Sequence, residues 1–406
     1  MDPRIQEMVG EVSAANLKSR VDLLSRFGTR NTFSPAPSDR RGIDAARRFL
    51  QAEFELYASE GRLTLVVDPF RAEANGRTAD VANVAARLPG CQVQSAERTY
   101  VIGAHYDSRN ADRYDGERDA PGANDDASGC AVVLELARIL SRRELEASVV
   151  FVLFAGEEQG LLGSRHWVAG ARGRGVFVDA MLNNDIVGNV QGGNGATDAA
   201  GVRLFSDGGD ADGESPSRQL ARYAREVAKI YVPGFDVRLV FRRDRLGRGG
   251  DHLPFHEAGY PSVRFTEALE DYSRQHQDMK EWQGRPYGDL PEWVDSEYLA
   301  KVAKVNLATI ASLALAPAPP REVELRGARS HVTKLAWMGG TEPDLAGYEV
   351  LVRATTAPEW ERTIEVGKAT EYAIAGLAPD DSWFAVRSVD QHGHRSRAVI
   401  AMPKLE

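Results

Sequence analysis

Cysteine is nearly missing from this chain: among 406 residues only Cys91 and Cys130 occur. Two thiols in unrelated contexts cannot build a disulfide framework or a thiolate metal cage, so any metal must be held by His, Asp and Glu. Whether the two pair with each other is left open by the sequence. Long apolar runs are also missing, none approaching the roughly 18 residues of a membrane span. Positive charge is in deficit, with 50 Lys and Arg against 59 Asp and Glu for a formal net charge of -9, and this excludes a non-specific nucleic-acid binder. The first residues, MDPRIQEMVGEVSAANL, lack the apolar centre of a secretory signal. A cytoplasmic protein, or one whose leader has been removed, is expected.

What is present is a run of strand and helix patterns. Apolar residues at helical spacing in two sets, Val12 to Leu24 and Ile43 to Leu56, are separated by a Ser/Pro-rich break at Ser34–Ser38. Strands are predicted at Leu63–Val67, Val81–Leu88, Tyr100–Ala104, Val149–Phe154, Phe177–Leu182, Val202–Phe205, Val237–Phe241 and Ser262–Thr266. Helices are predicted at Ala127–Leu140, Leu161–Val168, Ser217–Ile230 and, capped by Asp295 or Ser296, up to about Ala314. This alternation implies an α/β fold: a mainly parallel mixed sheet with helices on both faces. The run Ala316–Pro320, APAPP, cannot continue a helix and reads as a semi-rigid spacer. Beyond it short alternating stretches (Lys334–Trp337, Gly347–Arg353, Glu371–Ile374, Trp383–Val389, Ala398–Met402) predict a small all-β sandwich. The expected division is therefore 1–318 and 319–406.

Chemistry concentrates between Val101 and Glu158. One apolar run ends in His105 and Asp107, a glycine-flanked turn carries Asp125 and Asp126, and a second apolar run ends in Glu157 and Glu158. Ligands bind at the carboxyl ends of parallel strands, where loops converge on a crevice. Candidates at such ends and in the adjoining loops are His105, Asp125, Glu158, Asp185 and His276. Taken singly, Asp125 or Asp185 is a turn residue or helix cap, and adjacent glutamates are a surface pair. Together they are two imidazoles and three carboxylates, enough for two metal ions about 3.5–4 Å apart if one carboxylate bridges them. Glu157 is free to take a proton from water, and Asp107 is placed to hold the second nitrogen of His105.

The segments HYDS (105–108), PGANDDASG (121–129), FAGEEQGLLGS (154–164), NNDIVGN (183–189), GGDHLPFHEAGYPSVRFTE (249–267) and DYSRQH (271–276) resemble, in order, the di-zinc aminopeptidases of metallopeptidase family 28. The resemblance covers roughly residues 10–315. It implies two zinc ions, His105 and Asp185 on one, Glu158 and His276 on the other, and Asp125 bridging. It also implies Glu157 as general base, with Asp107 and Asp126 supporting the imidazoles. The expected substrates are peptides with a free N-terminus, and secretion or a periplasmic location is expected. A carboxypeptidase or dipeptidase on the same scaffold, or a single-zinc glutaminyl cyclase, is the alternative. Lys280 stands where relatives carry a carboxylate after the metal histidine, so the support of His276 is open.

Further candidates carry two readings each. His252 either contacts substrate or is a buried histidine beside Asp251. Tyr272 either bonds the oxyanion or is a core tyrosine, and Arg245 and Arg248 meet a substrate carbonyl or carboxylate or are exposed loop charges. The charged loop from Ser108 to Ala120 is a candidate specificity element. His331, His392 and His394 read as surface. Residues 319–406 resemble a fibronectin type III module, with Trp383 where that family has its corner tyrosine. That likeness implies a spacer or a surface that binds polysaccharide or protein.

Overall fold

The computed structural model describes residues 1–35, 38–209, 213–326 and 332–403. Its centre is an eight-stranded sheet built from β1 (Thr64–Ala74), β2 (Arg77–Leu88), β3 (Arg98–His105), β4 (Ser148–Phe154), β5 (Phe177–Asn184), β6 (Gly201–Phe205), β7 (Asp236–Val240) and β8 (Ser262–Glu267). The spatial order is β1-β2-β4-β3-β5-β8-β6-β7. Strand β3 pairs in parallel with β4 and β5, and β5 with β8, so three neighbouring strands end on the same edge as β3. The outer pairs β1–β2, β2–β4 and β6–β8 are antiparallel.

The central strands are covered on both faces, which is why their sequences are apolar throughout rather than alternating. Along β3, Tyr100, Ile102 and Ala104 enter the larger core, while Val101 faces a second core containing Phe154, Trp167 and Phe255. The larger core is closed by α1 (Pro3–Gly10), α2 (Ala14–Ser25), α3 (Gly42–Glu60), α4 (Ala127–Leu140) and, further on, α8 (Ser296–Ala314). The second is closed by α5 (Leu162–Gly173) and α7 (His252–Glu257), and α6 (Pro216–Tyr231) packs on β7 and α8. Helix α4 is buried almost end to end. Val132, Val133, Leu134, Leu136 and Leu140 are wholly out of water, each contributing about 1.5–3 kcal/mol of burial. Its N-cap Asp126 accepts from Gly129 N at 2.9 Å. Gly129 must be glycine: a Cβ there would lie 2.4 Å from the Asn184 carbonyl, so α4 starts directly against the end of β5.

Residues 321–403 contribute two four-stranded sheets, Arg321–Arg326 with Val332–Met338, Glu371–Ala375 and Met402–Pro403, and Leu345–Ala354 with Arg362–Gly367, Ser382–Asp390 and Val399–Ile400. The strands at Arg321–Arg326 and Arg362–Gly367 were not predicted; both are rich in charge and half exposed, which hides their alternation. Strand β1 runs well past Val67 because Asn75 (φ 49°) and Gly76 (φ 73°) close a two-residue hairpin onto β2. A short hairpin at Lys280–Trp282 and Arg285–Tyr287 was also missed. The β region packs on α6 through Glu226–Arg387 (2.8 Å) and Tyr223 Oη to the Arg395 carbonyl (2.9 Å). His394 is buried between Asp390 and Asp2, correcting the surface reading, whereas His392 is exposed. His331 lies outside the described residues. Both cysteines are free, Cys91 exposed and Cys130 buried.

Candidate metal centre

Six of the predicted side chains meet above the edge where β3, β4 and β5 end. His105 is the last residue of β3, Asp185 follows β5, and Glu157 and Glu158 follow β4 across the turn at Ala155–Gly156. Asp125 precedes the N-cap of α4, and His276 arrives from the loop after β8 with φ 53°, a left-handed conformation that a non-glycine residue adopts rarely. Asp125 presents Oδ1 to His105 Nε2 at 3.2 Å and Oδ2 to His276 Nε2 at 2.9 Å. Glu158 Oε1 lies 2.9 Å from His276 Nε2, and Asp185 Oδ2 lies 3.9 Å from His105 Nε2. Ligands about 2.0–2.2 Å from a tetrahedral zinc stand about 3.3 Å apart, so these spacings fit two adjoining nitrogen–oxygen sets. The donor atoms of His105, Glu157 and Asp185 form one compact group, and those of Asp125, Glu158 and His276 another.

Electrostatics favour a cation. Burial alone would keep the His105 imidazole neutral, yet Glu157, Asp107 and Asp125 pull its pKa well above 6.5. His276 is likewise drawn up to about 10 by Glu158 and Asp125 against its burial. Burial, against the pull of His105, and then the charges of Asp185 and Glu158 push the Glu157 carboxyl well above 4.5. Glu158 Oε1 is buried and, among the described residues, makes no well-aligned hydrogen bond, although His276 Nε2 stands 2.9 Å away. A carboxylate oxygen left in that state among further carboxylates is the expected condition of a metal ligand.

The groups behind these donors differ from expectation. Asp107 does not hold His105 through its carboxylate, which lies 3.6 Å from Nδ1; its backbone carbonyl takes that role at 3.1 Å. The Asp107 carboxylate instead accepts from the amides of Glu157 and Glu158, both at 3.1 Å, fixing the turn that carries them. Asp126 supports backbone rather than imidazole, accepting from His105 N at 3.2 Å as well as from Gly129. Its peptide link to Asp125 is cis. Asp278 pairs with Arg118 at 2.8 Å, away from His276.

Several supports were not singled out in the sequence, although Arg264 and Glu267 lie within the segment 249–267. Arg264, fully buried, grips Asp185 Oδ1 at 2.7 Å and Asp244 at 3.1 Å. Asp289 accepts from Asn124 N at 2.8 Å and Asp125 N at 2.7 Å, and buried Glu267 takes Asn124 Nδ2 at 2.7 Å. Asp289 comes from a segment without a recognisable pattern, and Arg264 and Glu267 come from the fully buried strand β8, where a charge reads as a mistake. Arg30, also fully buried, donates to the carbonyls of Tyr106 (2.7 Å), Leu24 (3.2 Å), Gly122 (2.9 Å) and Pro121.

Of the three substrate candidates, only Arg248 lines the cleft, together with Arg245. His252 is 1% exposed and bonded to the Arg243 carbonyl at 2.9 Å, and its pKa is lowered to about 4 by burial. The buried reading therefore holds for His252, because α7 turns its ring inward behind the cleft wall. Tyr272 is 64% exposed, which removes the core reading, and its ring lies under the Arg248 guanidinium at 5.8 Å.

Comparison with known proteins places the family and the fold. The sequence model of Peptidase family M28 matches residues 83–308. A probable zinc metalloprotease of Leptosphaeria maculans is 41% identical over 423 residues, covering 99% of this chain and 97% of the relative. Among solved structures, LapA of Legionella pneumophila superimposes with a TM-score of 0.60 at 21% identity, over 77% of this chain and 76% of that one. An aminopeptidase from Aneurinibacillus sp. strain AM-1 gives 0.56 at 17% identity, over 75% and 95%. The family match spans the three strand ends and the loops that bear all five donors, and on that ground the chain belongs to peptidase family M28.

Proposed function

We propose that this M28 peptidase is an aminopeptidase that uses two zinc ions. His105 and Asp185 would hold one, Glu158 and His276 the other, and Asp125 both. The observation that carries this reading is Asp125 itself, whose two oxygens lie within 3.2 Å and 2.9 Å of the two imidazoles. When bound, the pair of ions supplies Lewis acidity at the scissile carbonyl and brings the pKa of water close to 7.

The chain's own groups supply the rest. Glu157 is partly exposed to the cleft while its neighbour Glu158 is buried, so Glu157 takes the proton of the attacking water and passes it to the leaving amine. Its position is held by the hydrogen bond that its backbone N–H donates to the Asp107 carboxylate. The acidic floor of the cleft also attracts the α-ammonium group of a free N-terminus. The likeness of residues 319–406 to fibronectin type III adds a spacer or binding surface to this reading, and the family resemblance adds secretion.

The test is hydrolysis of matched peptides with free and acetylated N-termini, with zinc and with a chelator, combined with metal counting. Two zinc ions per chain, cleavage of the free peptides alone, and a fall of about 10²–10⁴-fold in kcat for Glu157→Gln are expected. Cleavage of the acetylated peptides at the C-terminal residue would instead make the enzyme a carboxypeptidase. One zinc per chain with release of a cyclised N-terminal glutamine would make it a cyclase.

A further inference from the structure

The cleft over the donor cluster, about 330 Å³, is walled by four arginines: Arg109, Arg113, Arg245 and Arg248. That is the opposite sign to the chain as a whole, whose formal net charge is -9. On one wall the carboxylates are oversubscribed. Glu270 receives Arg245 (2.8 Å), Arg248 (3.2 Å) and Arg203 (2.5 Å), while Asp244 is shared by Arg245 (3.2 Å) and Arg264 (3.1 Å). Burial opposes the charge of Glu270, yet Arg245 and Arg203 hold its pKa down at about 2. Glu270 and Asp244 thus serve four guanidiniums, of which, among the described residues, Arg264 alone is also paired with a further acid, Asp185 (2.7 Å). On the other wall, the loop from Ser108 to Ala120, Arg109 reaches, among the described residues, only the backbone carbonyls of Asn110 (3.1 Å) and Ala111 (3.4 Å). The Arg113 side chain has no hydrogen-bond or ion-pair partner among the described residues.

Four guanidiniums concentrated at the mouth of a small cleft, two of them without an acid, have no packing purpose. Their chemistry is recognition of a planar anion by paired N–H donors. The carboxylates beneath them are the proposed metal ligands and base, so they are committed elsewhere. Resting on the aminopeptidase reading above, we infer that the cleft selects peptides bearing a carboxylate close to the bond that is cut, received by Arg109 and Arg113 with Arg248 completing the positive wall. That carboxylate is supplied either by an N-terminal Asp or Glu side chain or by the C-terminus of a di- or tripeptide. An N-terminal Lys or Arg is repelled by the same wall.

The zinc-loaded full chain is given isosteric pairs: Glu-Ala-Ala-amide against Gln-Ala-Ala-amide, and Gln-Ala against Gln-Ala-amide, with Lys-Ala-Ala-amide as the cationic control. A preference of about tenfold or more in kcat/KM for the charged member is expected in at least one pair, and it shrinks as salt is raised. A Glu-over-Gln preference assigns the side chain, and an acid-over-amide preference assigns the C-terminus. Arg109→Lys with Arg113→Lys keeps the sign of the preference, because the charge stays, and shrinks its size, because the paired N–H donors are lost. Arg109→Glu with Arg113→Glu reverses it in favour of Lys-Ala-Ala-amide, a gain that misfolding cannot produce. Both pairs cleaved within about twofold of each other, a wild-type preference for the lysine peptide, or an unchanged ranking in the charge-reversed variant would overturn the inference while leaving the aminopeptidase reading intact. Failure to cleave any free-amino peptide would overturn that reading, and the selection with it.

Discussion

Replacing Asp107 with Asn keeps the shape of a wholly buried side chain and changes only its hydrogen bonding. The carboxylate now accepts from two amides, Glu157 N and Glu158 N, at 3.1 Å each. Asparagine retains one acceptor and turns an NH₂ toward the other amide, so one bond is lost and two donors face each other without water. Hydrogen bonds to charged groups contribute about 1.5–3 kcal/mol, and a buried unmade donor costs a further 1–3 kcal/mol, so a loss of about 2–4 kcal/mol in stability is expected in urea unfolding. The turn it holds carries both a proposed ligand and the proposed base. A shift of about 1 Å in such a group lowers rates by up to roughly 10²-fold. The expected result is a kcat reduced about 10–100-fold that persists when zinc is saturating, alongside weaker zinc binding measured by chelator competition. If added zinc restored kcat to within about twofold of wild type, Asp107 would act through metal retention alone, and the role assigned to its two amide contacts would be wrong.

Arg264→Leu breaks the buried pairs with Asp185 and Asp244 and leaves two carboxylates unanswered; a loss of about 3–5 kcal/mol is expected in denaturant melts, and a loss below about 1 kcal/mol would contradict the geometry. An aromatic disulfide reagent should titrate Cys91 alone in the folded protein and both thiols in urea. Cys130 is buried 3.1 Å from the His105 carbonyl and burial pushes its pKa well above 9.0, so two fast thiols in the native protein would refute this placement. His394 lies 2.6 Å from Asp390 and 2.7 Å from Asp2. Burial opposes its charge, but these partners raise its pKa above 6.5, so its contribution to stability is complete below 6.5 and is lost as pH rises through the folded value. Asp2, held at about 2 by Arg4 and His394 despite its burial, stays ionised across that range. Glu146, held up at about 7 by burial and the charges of Asp344 and Asp390, works in the same sense: stability falls as pH rises between 4.5 and 7. Calorimetry should therefore find the gap between wild type and His394→Gln wide at pH 6 and narrow at high pH; a gap that widens with pH would reverse the sign of the argument.

Three of the proposed donors and the proposed base were legible because an apolar strand stops at or within a few residues of each, whereas Asp125 and His276 stand in adjoining loops. His105, Asp185 and the Glu157–Glu158 pair all carry that mark. The alternation of strands and helices gave the α/β sheet for a related reason, since buried parallel strands are unbroken apolar runs. The supports of the site were not legible. Arg264 and Glu267 lie inside a fully buried strand, where their partners come from distant loops, and Asp289 sits in a turn that looks like any other. Asp107 was singled out, but its atoms were misassigned, because spacing along a strand does not tell a carbonyl from a carboxylate. The Asn75–Gly76 turn was readable and went unused, which cost half of β1.

Arg30 ties two chain regions that sequence comparison would cut apart. Its guanidinium is spent on the carbonyls of Leu24, Tyr106, Pro121 and Gly122, so the segment leading into Asp125 hangs from the end of an N-terminal helix. The match to the family begins at residue 83, yet the peptide that presents Asp125, the proposed bridging carboxylate, is anchored more than fifty positions upstream of that boundary. A catalytic core trimmed to the matched span would keep every donor and lose the keystone beneath them. The opening helices are therefore structural members of the proposed metal centre, and whatever loosens them should be felt first as poor metal retention.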